Sequence, residues 1–512
     1  MADIRSTSLP TPAATPTTLG LVRQQWLNAR DAGAGGDAVA DDTAAIQAAI
    51  NTVAAMGTDP ATPGVDAHNR GGTVFLPTGT YMVSQLTLYS HVRLRGIGGG
   101  TVLKQAAGSI APAMIIKDPA ARLCVVEHLR IDGNYAAQTQ AAGAGPHGVW
   151  FDTPIPNYTT INPELFDAYD TIHDVFFYNV NGDACRLTGL GASTIDRVKA
   201  RQILGRGIHI EFDSNVSGCD IGVTGNFGIE IGSAGFGGSV RLTNSKFFHV
   251  GNANPNSTET WTPGIAGVKI YNSQCIEMTD VEAQDCSGPG FHLDTVTYSV
   301  FSGCVADTCG AAAQGDAGFE LANSQHNQFV GCTVRQRDLT TQSPTPRPLS
   351  AVTRFAFRER FGGPGDNVFR GHDGIFPSVP LHQSVASAAV DPNASGGAGS
   401  SIEIGSQDGM QVTAYAATYN PVPYQGATIA MTLTGNVAIG SVSYANCHIG
   451  LRMTLILTQD ATGGHMIALD PSYHTKAGFA AVTAANGVTA AAFICTAAPA
   501  NTGAAPQWQQ IA

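Results

Sequence analysis

The chain has 512 residues, of which 60 are glycine, 43% are hydrophobic and only 13% are charged. This composition argues against a helical bundle and against wholesale disorder, and it favours many short strands joined by tight turns. The 27 Lys and Arg residues against 39 Asp and Glu give a net charge of −12 without a basic run, which argues against nucleic acid, and no apolar stretch is long enough for membrane insertion.

The N-terminal part of the chain predicts a tail followed by one helix. Residues 1–22 are rich in Thr, Pro and Ala and show no periodicity, so we predict a flexible adaptor segment that lacks the apolar core of a Sec signal. In DDTAAIQAAINTVAAMG, the residues Ile46, Ile50 and Val53 follow helical spacing before Gly57, which predicts an amphipathic helix over 42–56. The runs GGTVFLPTGTYMVS and LTLYSHVRLRGIGGGTVLK alternate in polarity and predict strands.

The same region resembles a known family. NARDAGAGGDAVADDTAAIQAAI followed by GGTVFLPTGTYMVS is similar to the start of the pectate-lyase-superfamily domain of phage tailspikes and related glycosidases. The resemblance covers about residues 25–105 and departs from many relatives at Ala38, where they carry Gly. It implies a right-handed parallel β-helix whose first coil is capped by the helix. The Asp-rich calcium spacing of pectate lyases is absent, so their metal-dependent mechanism is not carried over.

A repeated pattern in the middle of the chain supports the same fold. A small residue followed by apolar, variable and apolar positions recurs as GVWFD, DACRLT, GIHIEFD, GIEIGS, GVKIYN, GFHLD, GFELAN and AFRER. Where no polar insert intervenes, successive copies start 21 to 28 residues apart, a period typical of a solenoid. Stacking then places residues such as Ile208 and Ile210 inward and the variable positions outward. We therefore predict an all-β chain with a parallel β-helix over 23–383.

The C-terminal part predicts a separate module. SVASAAVDPNASGGAGSS has linker composition over 384–401, and the alternating runs beyond it predict an antiparallel β-sandwich over 402–512. TGNVAIG and LTQDATGGH resemble C-terminal modules of phage fibre and tailspike proteins. That resemblance implies trimerisation or glycan binding.

The variable positions of the repeats form outward columns rich in ionisable groups. The first column consists of Trp150, Arg186, His209, Glu230, Lys269, His292, Glu320 and Arg358, and the second of Asp152, Thr188, Glu211, Gly232, Tyr271, Asp294 and Ala322. Glu211 and Glu230 fall on adjacent coils with backbones about 8 Å apart. A carboxylate pair of this kind suits acid–base glycoside cleavage.

These columns give the predicted site. We predict Glu211 and Glu230 as the catalytic pair, with Asp213 and Asp294 as the next catalytic candidates. The predicted substrate-binding residues are Trp150, Arg186, His209, Lys269, Tyr271, His292 and Glu320. Two alternatives stay open: the carboxylates are solvated partners of neighbouring cations, or Lys269, Tyr271, His292 and Asp294 remove a proton beside a uronate carboxylate in a lyase reaction.

The ten cysteines show no Cys-x-x-Cys and no paired Cys/His spacing, which predicts small buried thiols rather than zinc ligands. We expect no cofactor and no metal. The function expected from the columns and the resemblance is a phage-type tailspike that depolymerises a bacterial surface polysaccharide by hydrolysis. The alternatives are a lyase on the same fold and a non-catalytic tail fibre or adhesin.

The resemblance also implies a homotrimer that joins a phage tail or baseplate through its N-terminus. The expected location is the virion tail, with secretion by a non-Sec route as the alternative.

Overall fold

The structure is a computed structural model that describes residues 26–55, 71–154, 168–189, 191–235, 237–252, 261–310, 317–335, 355–360, 367–370, 373–375, 401–403, 410–413, 415–421, 428–442, 452–476, 480–497 and 506–511. The predicted adaptor and the predicted linker up to residue 400 lie outside these residues. The chain divides into two compact units, 1–200 and 201–512. No helix in the described ranges is long and apolar enough to span a membrane.

The predicted helix is confirmed as α1 (Thr43–Ala55), which buries Ile46, Ile50 and Val53. At its start, the Asp41 carboxylate accepts a hydrogen bond from the Thr43 amide at 2.9 Å, which satisfies one amide of the first turn. The buried side of α1 packs on the first strands of the chain, so it covers apolar side chains at this end of the first unit. Ala38 adopts φ 67, the left-handed conformation that the Gly of relatives would adopt readily.

In its described residues, the first unit contains short strands and three 3₁₀ turns besides α1. The turns are Ala29–Ala32, Gly98–Gly100 and Tyr135–Ala137. The strands are β1 (Trp26–Asn28), β2 (Asp37–Asp41), β3 (Gly72–Phe75), β4 (Gly79–Val83), β5 (Leu86–Leu88), β6 (Val92–Arg95), β7 (Thr101–Gln105), β8 (Ala113–Lys117), β9 (Val125–Asp132), β10 (His147–Thr153), β11 (Thr171–Val180), β12 (Cys185–Gly189), β13 (Thr194–Asp196) and β14 (Lys199–Ile203), which contains the division between units.

These strands stack in parallel on three faces of the first unit. Face 1 has the order β5-β8-β10-β12, face 2 has β1-β3-β6-β9-β11-β13, and face 3 has β2-β4-β7-β9-β11. β9 and β11 serve both face 2 and face 3 because each bends between the two faces at a left-handed residue, His128 (φ 53) in β9 and Asp174 (φ 51) in β11. Each coil therefore has three sides, as a parallel β-helix requires.

The second unit repeats this organisation in its first part. Its strands are β15 (Ile208–Ile210), β16 (Asn215–Ser217), β17 (Asp220–Thr224), β18 (Ile229–Ile231), β19 (Gly237–Gly238), β20 (Arg241–Val250), β21 (Val268–Gln274), β22 (Glu277–Gln284), β23 (Phe291–Thr297), β24 (Val300–Ser302), β25 (Val305–Asp307), β26 (Ala317–Ala322), β27 (Gln328–Val330), β28 (Thr333–Arg335), β29 (Phe355–Arg360), β30 (Val368–Arg370), β31 (Asp373–Ile375) and β32 (Ser401–Glu403). Face 1 of this unit is β15-β18-β21-β23-β26-β29, and all of these pairs are parallel.

Stacking of like residues fills the interior of the second unit. Ile208 and Ile210 are fully buried, as predicted. Phe291, Phe319 and Phe357 stack on consecutive coils with ring centroids 4.4 and 4.9 Å apart. Such ladders arise because parallel coils place equivalent side chains about 4.8 Å apart.

The small residue that opens each repeat has a steric cause. A Cβ added at Gly207 would lie 2.5 Å from the carbonyl oxygen of Gly228, and one at Gly228 would lie 2.7 Å from that of Gly267. At Gly267 and Gly290 the next coil's carbonyl oxygen would be 3.0 and 2.9 Å away. Glycine at this position therefore lets one coil approach the next.

The predicted burial of the cysteines holds for all of the described cysteines but one. All of the cysteines in the described ranges are buried except Cys275, and none forms a disulfide there. Cys447 lies outside the described residues. The buried thiols act as small apolar side chains of the core.

The C-terminal module contains β33 (Met410–Thr413), β34 (Thr418–Tyr419), β35 (Thr428–Leu433), β36 (Val437–Ile439), β37 (Arg452–Gln459), β38 (Ile467–Leu469), β39 (Tyr473–His474), β40 (Val488–Ala497) and β41 (Gln507–Gln510). Two sheets are present, as expected for a sandwich, and Phe493 and Trp508 are central to their core. The predicted antiparallel pairing is only partly correct. β33-β35-β37 and β34-β36-β38 are parallel, whereas antiparallel pairing occurs in β37-β40-β41.

Candidate functional site

The predicted first column is present in the second unit. The register pairs His209 with Glu230, Glu230 with Lys269, Lys269 with His292, His292 with Glu320, and Glu320 with the backbone position of Arg358. We call His209, Glu230, Lys269, His292 and Glu320 the charged column. Five consecutive coils thus each bring one ionisable side chain to the same face.

Lys269 is the electrostatic centre of the charged column. Its Nζ lies 3.8 Å from Oδ2 of Asp294 on the next coil. Burial lowers the pKa of Lys269, and the attraction of Asp294, Glu230 and Glu320 opposes that shift. The Lys269 ammonium is therefore attracted by three carboxylates. It nevertheless loses its proton more easily than an exposed lysine does.

The charged column is less exposed than a solvent-facing position suggests. Glu230, Glu320 and His209 retain only 9, 5 and 3% of their surface exposed. Long side chains on adjacent coils cover one another, and Arg206 forms an ion pair with Glu230 on the following coil. His209 Nε2 lies 4.0 Å from Glu230 Oε2. Sequence reasoning missed Arg206, which directly precedes the GIHIEFD repeat.

Asp294 lies beside the charged column, with 43% of its side chain exposed. It lies opposite Tyr271 on the preceding coil and Ala322 on the following one, as predicted for the second column. The small Ala322 leaves Asp294 uncrowded on that side. Asp294 is thus placed to touch a ligand that approaches Lys269.

The two other predicted catalytic residues lie beyond the end of β15. Glu211 is partly buried and follows Ile210 directly, while Asp213 is exposed at a bend with φ 32. Glu211 does not pair directly with Glu230, because the register places His209 there. This offset of two residues is the one predicted from the sequence.

Trp150 and Arg186, in the first unit, face each other on β10 and β12. The Arg186 guanidinium carbon lies 4.5 Å from the Trp150 ring centroid, and the indole Nε1 donates a hydrogen bond to Thr188 at 2.9 Å. Thr188 in turn donates to Asp152. One face of the Trp150 ring is therefore covered by Arg186, and a sugar-stacking role for it stays a prediction.

A second constellation, in the first unit, was not predicted. We call Glu127, His128, His173, Asp174, Asp196 and Arg197 the bend cluster. His173 Nδ1 lies 2.9 Å from Asp196, and His173 Nε2 lies 3.1 Å from Asp174. The hydrogen bond from Arg197 lowers the pKa of Asp174, helped by the two histidines. The sequence contains a signal for this cluster. When VEHL, IHDV and IDRV are aligned by their apolar residues, the six polar residues of the cluster occupy equivalent positions.

Comparisons with known proteins agree with the fold. The family model for rhamnogalacturonase A/epimerase, pectate lyase-like proteins matches residues 26–275, and the model for a phage tail fibre C-terminal domain matches residues 419–496. The sequence resemblance to pectate-lyase-like β-helices and phage tail proteins is thereby confirmed.

Individual relatives match parts of the chain. Mannuronan C5-epimerase AlgE1 of Azotobacter vinelandii is 44% identical over 90 residues, which are 16% of this chain and 6% of that protein. The A-module of mannuronan C-5 epimerase AlgE4 from the same organism has a TM-score of 0.52 at 18% identity and covers 74% of this chain and 99% of that chain. The enzymatically active domain of bacteriophage CBA120 tailspike protein 2 has a TM-score of 0.51 at 18% identity and covers 68% of this chain and 47% of that one.

The chain matches less than a tenth of the length of the first curated relatives. At these identities the two solved structures show the fold alone.

Proposed function

We propose that this chain, in which a pectate-lyase-like domain is followed by a phage tail-fibre C-terminal domain, is a tailspike-type protein that binds and cleaves a bacterial surface polysaccharide. The charged column carries this proposal. A purely structural face would be expected to show Thr, Ser, Asn and Val, whereas this face stacks acids and bases on consecutive coils. Acids and bases on one elongated surface are what glycosidic bond cleavage needs.

Hydrolysis is the first reaction we assign. Glu230 forms an ion pair with Arg206, so we assign Glu230 the role of the base that activates water. We assign Glu211 the role of the acid that donates a proton to the leaving oxygen. The two backbones are offset by one coil and two residues, about 8 Å, which permits the carboxyl separations used by glycosidases. Asp213 and Asp294 are the next acids within this region.

The hydrolytic assignment is tested with Glu230→Gln and Glu211→Gln. Each change keeps the shape of the side chain and removes proton transfer, so turnover measured by released reducing ends should fall by about 10²–10⁴. Glu277→Gln is the matched control, since Glu277 pairs with Arg241 on another face and is 60% exposed. If both site variants keep the turnover of the control, the assignment is wrong.

Elimination is the second candidate, and the lowered pKa of Lys269 favours it. A neutral amine beside Tyr271, His292 and Asp294 takes the proton from the ring carbon next to a uronate carboxylate. The bond from the adjacent ring carbon to the glycosidic oxygen then breaks, and the leaving oxygen takes up a proton from water. The product carries an unsaturated sugar that absorbs ultraviolet light. The pH dependence separates two roles of Lys269. If the neutral amine accepts the proton, the rate rises as pH increases through the lowered pKa. If the ammonium binds an acidic sugar, the rate falls over the same range.

We also propose a homotrimer located in the virion tail, joined to the phage tail or baseplate through the N-terminal segment. The match to a tail fibre domain at 419–496 supports this arrangement, and repeated sites on one particle increase avidity. The module at 402–512 should contribute to the trimer contacts. Light scattering on the full chain should give three times the chain mass, and a stable monomer at micromolar concentration would contradict it.

A further inference from the structure

The bend cluster gathers metal-binding side chains from sequence positions far apart. His128 lies in β9, His173 and Asp174 lie in β11, and one potential ligand atom of each lies within 4.8 Å of the others. His128 and Asp174 occupy left-handed bend positions of neighbouring coils, which turns both side chains toward the same point of the surface. The stacking of neighbouring coils therefore brings these three side chains together.

The distances fit a tetrahedral ion. Asp174 Oδ2 lies 3.3 Å from His128 Nδ1 and 3.1 Å from His173 Nε2. With metal–ligand bonds of about 2.0–2.1 Å, ligand atoms of a tetrahedral zinc site are about 3.3–3.4 Å apart. The distances from Asp174 to the two histidines are close to this value.

In each histidine, the ring nitrogen that points away from the three-ligand group faces a carboxylate, as is usual for metal-binding histidines. The other ring nitrogen of His173 faces Asp196 at 2.9 Å, and that of His128 faces Glu127 at 3.9 Å. A carboxylate behind a histidine fixes the ring and selects the nitrogen that points at the metal. Two imidazoles and one carboxylate favour zinc-type ions over calcium or magnesium, which prefer oxygen ligands.

Arg197 lies over the same atoms. Its guanidinium donates to both oxygens of Asp174 at 2.8 Å and contacts His173 Nε2. The side chain is 54% exposed, so it can turn into solvent without opening the core. A metal ion must displace this guanidinium to reach the three ligand atoms.

We propose that His128, His173 and Asp174 bind a divalent transition metal ion of the zinc type, and that Arg197 competes with the ion for the site. The ion links β9 and β11, so its binding stabilises two neighbouring coils of the first unit. This site is separate from the charged column, and it does not depend on the proposed catalytic function.

The experiment is a titration of the full-length chain with Co²⁺, followed by visible absorption. Nitrogen and oxygen ligands give d–d bands without the thiolate charge-transfer band that cysteine ligands would produce. We expect saturable binding of one ion per chain. His173→Ala and His128→Gly should abolish it, and glycine suits position 128 because φ is 53 there.

Two further variants test the details of the site. Asp196→Asn should weaken binding about 10–100-fold, because the carboxylate behind His173 is lost. Arg197→Gly should tighten binding, since the competing guanidinium is removed at another left-handed position (φ 51). His326→Gly is the matched control, because His326 also lies at a bend, with φ 58, and stacks on Tyr298 outside the cluster.

Thermal unfolding gives an independent readout. Zn²⁺ should raise the unfolding midpoint of the wild type and of His326→Gly, and it should leave that of His173→Ala unchanged. Absence of saturable binding in both wild type and Arg197→Gly overturns the proposal. Binding that persists unchanged in His173→Ala and His128→Gly overturns it as well.

Discussion

The ion pair between Lys117 and Asp170 is completely buried and offers a sharp test of how the first unit is held together. Lys117 Nζ lies 2.5 Å from Asp170 Oδ2, and the two side chains are 0 and 1% exposed. Lys117 also donates to the carbonyl of Ala121 at 3.1 Å, and the Cys124 amide donates to Asp170 Oδ1 at 2.9 Å. The pair thus ties the end of β8 to the start of β11.

Asp170→Asn keeps an acceptor for the Cys124 amide but places an NH2 donor against Lys117 Nζ, so the buried ammonium loses its carboxylate acceptor as well as its counter-charge. Loss of one partner from a buried pair typically costs about 3–5 kcal/mol. Lys117→Met/Asp170→Asn removes the stranded charge as well, so we expect it to recover most of that loss. The assay is urea denaturation of the three chains, with hydrogen exchange of residues 113–132 as the local readout.

The pKa of Asp170 sets the direction in which the free energy of unfolding changes with pH. Burial raises the pKa of Asp170 above its ordinary value of 3.8, although Lys117 opposes the shift. The folded chain therefore holds this proton more tightly than the unfolded chain, and the contribution of Asp170 to stability falls as pH rises from 3.8 through the higher folded pKa. Asp170→Asn should remove that slope. A loss under about 1 kcal/mol in Asp170→Asn would refute the reasoning.

Three other perturbations follow from contacts between coils. Gly228→Ala should cost about 1–3 kcal/mol, because its Cβ would lie 2.7 Å from the Gly267 carbonyl, whereas Gly99→Ala, with no atom within 4 Å, should change urea stability little. Phe319→Ala should cost about 3–5 kcal/mol in the same assay, since it opens a cavity in a stacked ladder. Arg206→Met should cost about 1–3 kcal/mol, because Glu230 loses its partner while its side chain is only 12% exposed. Unchanged stability in Gly228→Ala, Phe319→Ala or Arg206→Met would contradict the contact concerned.

The repeat pattern predicted the fold because the stacking of coils imposes a regular pattern on the sequence. Equivalent residues of neighbouring coils are aligned by their apolar neighbours, so the register from His209 to Glu320 could be obtained without the structure. Glycine at the start of each repeat has the same cause, since its hydrogen leaves room for the next carbonyl.

The C-terminal module was harder to predict. Alternating polarity shows that a strand has one buried side, but parallel and antiparallel partners satisfy it equally well. This is why β35 and β37 were expected to pair antiparallel, although their register is parallel.

The bend cluster was missed for a related reason. His128, Asp174 and Arg197 occupy bends in the left-handed conformation, although none of them is a glycine. A pattern search that expects Gly or Asn at bends passes over such residues. The extent to which Arg206 covers Glu230 was equally hidden, because side-chain burial depends on contacts across coils.

Cleavage of a bacterial surface polysaccharide by the charged column is measured most directly as polymer chain length after incubation with a panel of capsular and O-antigen polysaccharides. We expect the wild type and Glu277→Gln to shorten at least one polymer. Glu230→Gln and Glu211→Gln should bind that polymer but leave it almost intact. Binding without cleavage by the wild type would indicate an adhesin, and cleavage that is unaffected in both variants would place the reaction elsewhere.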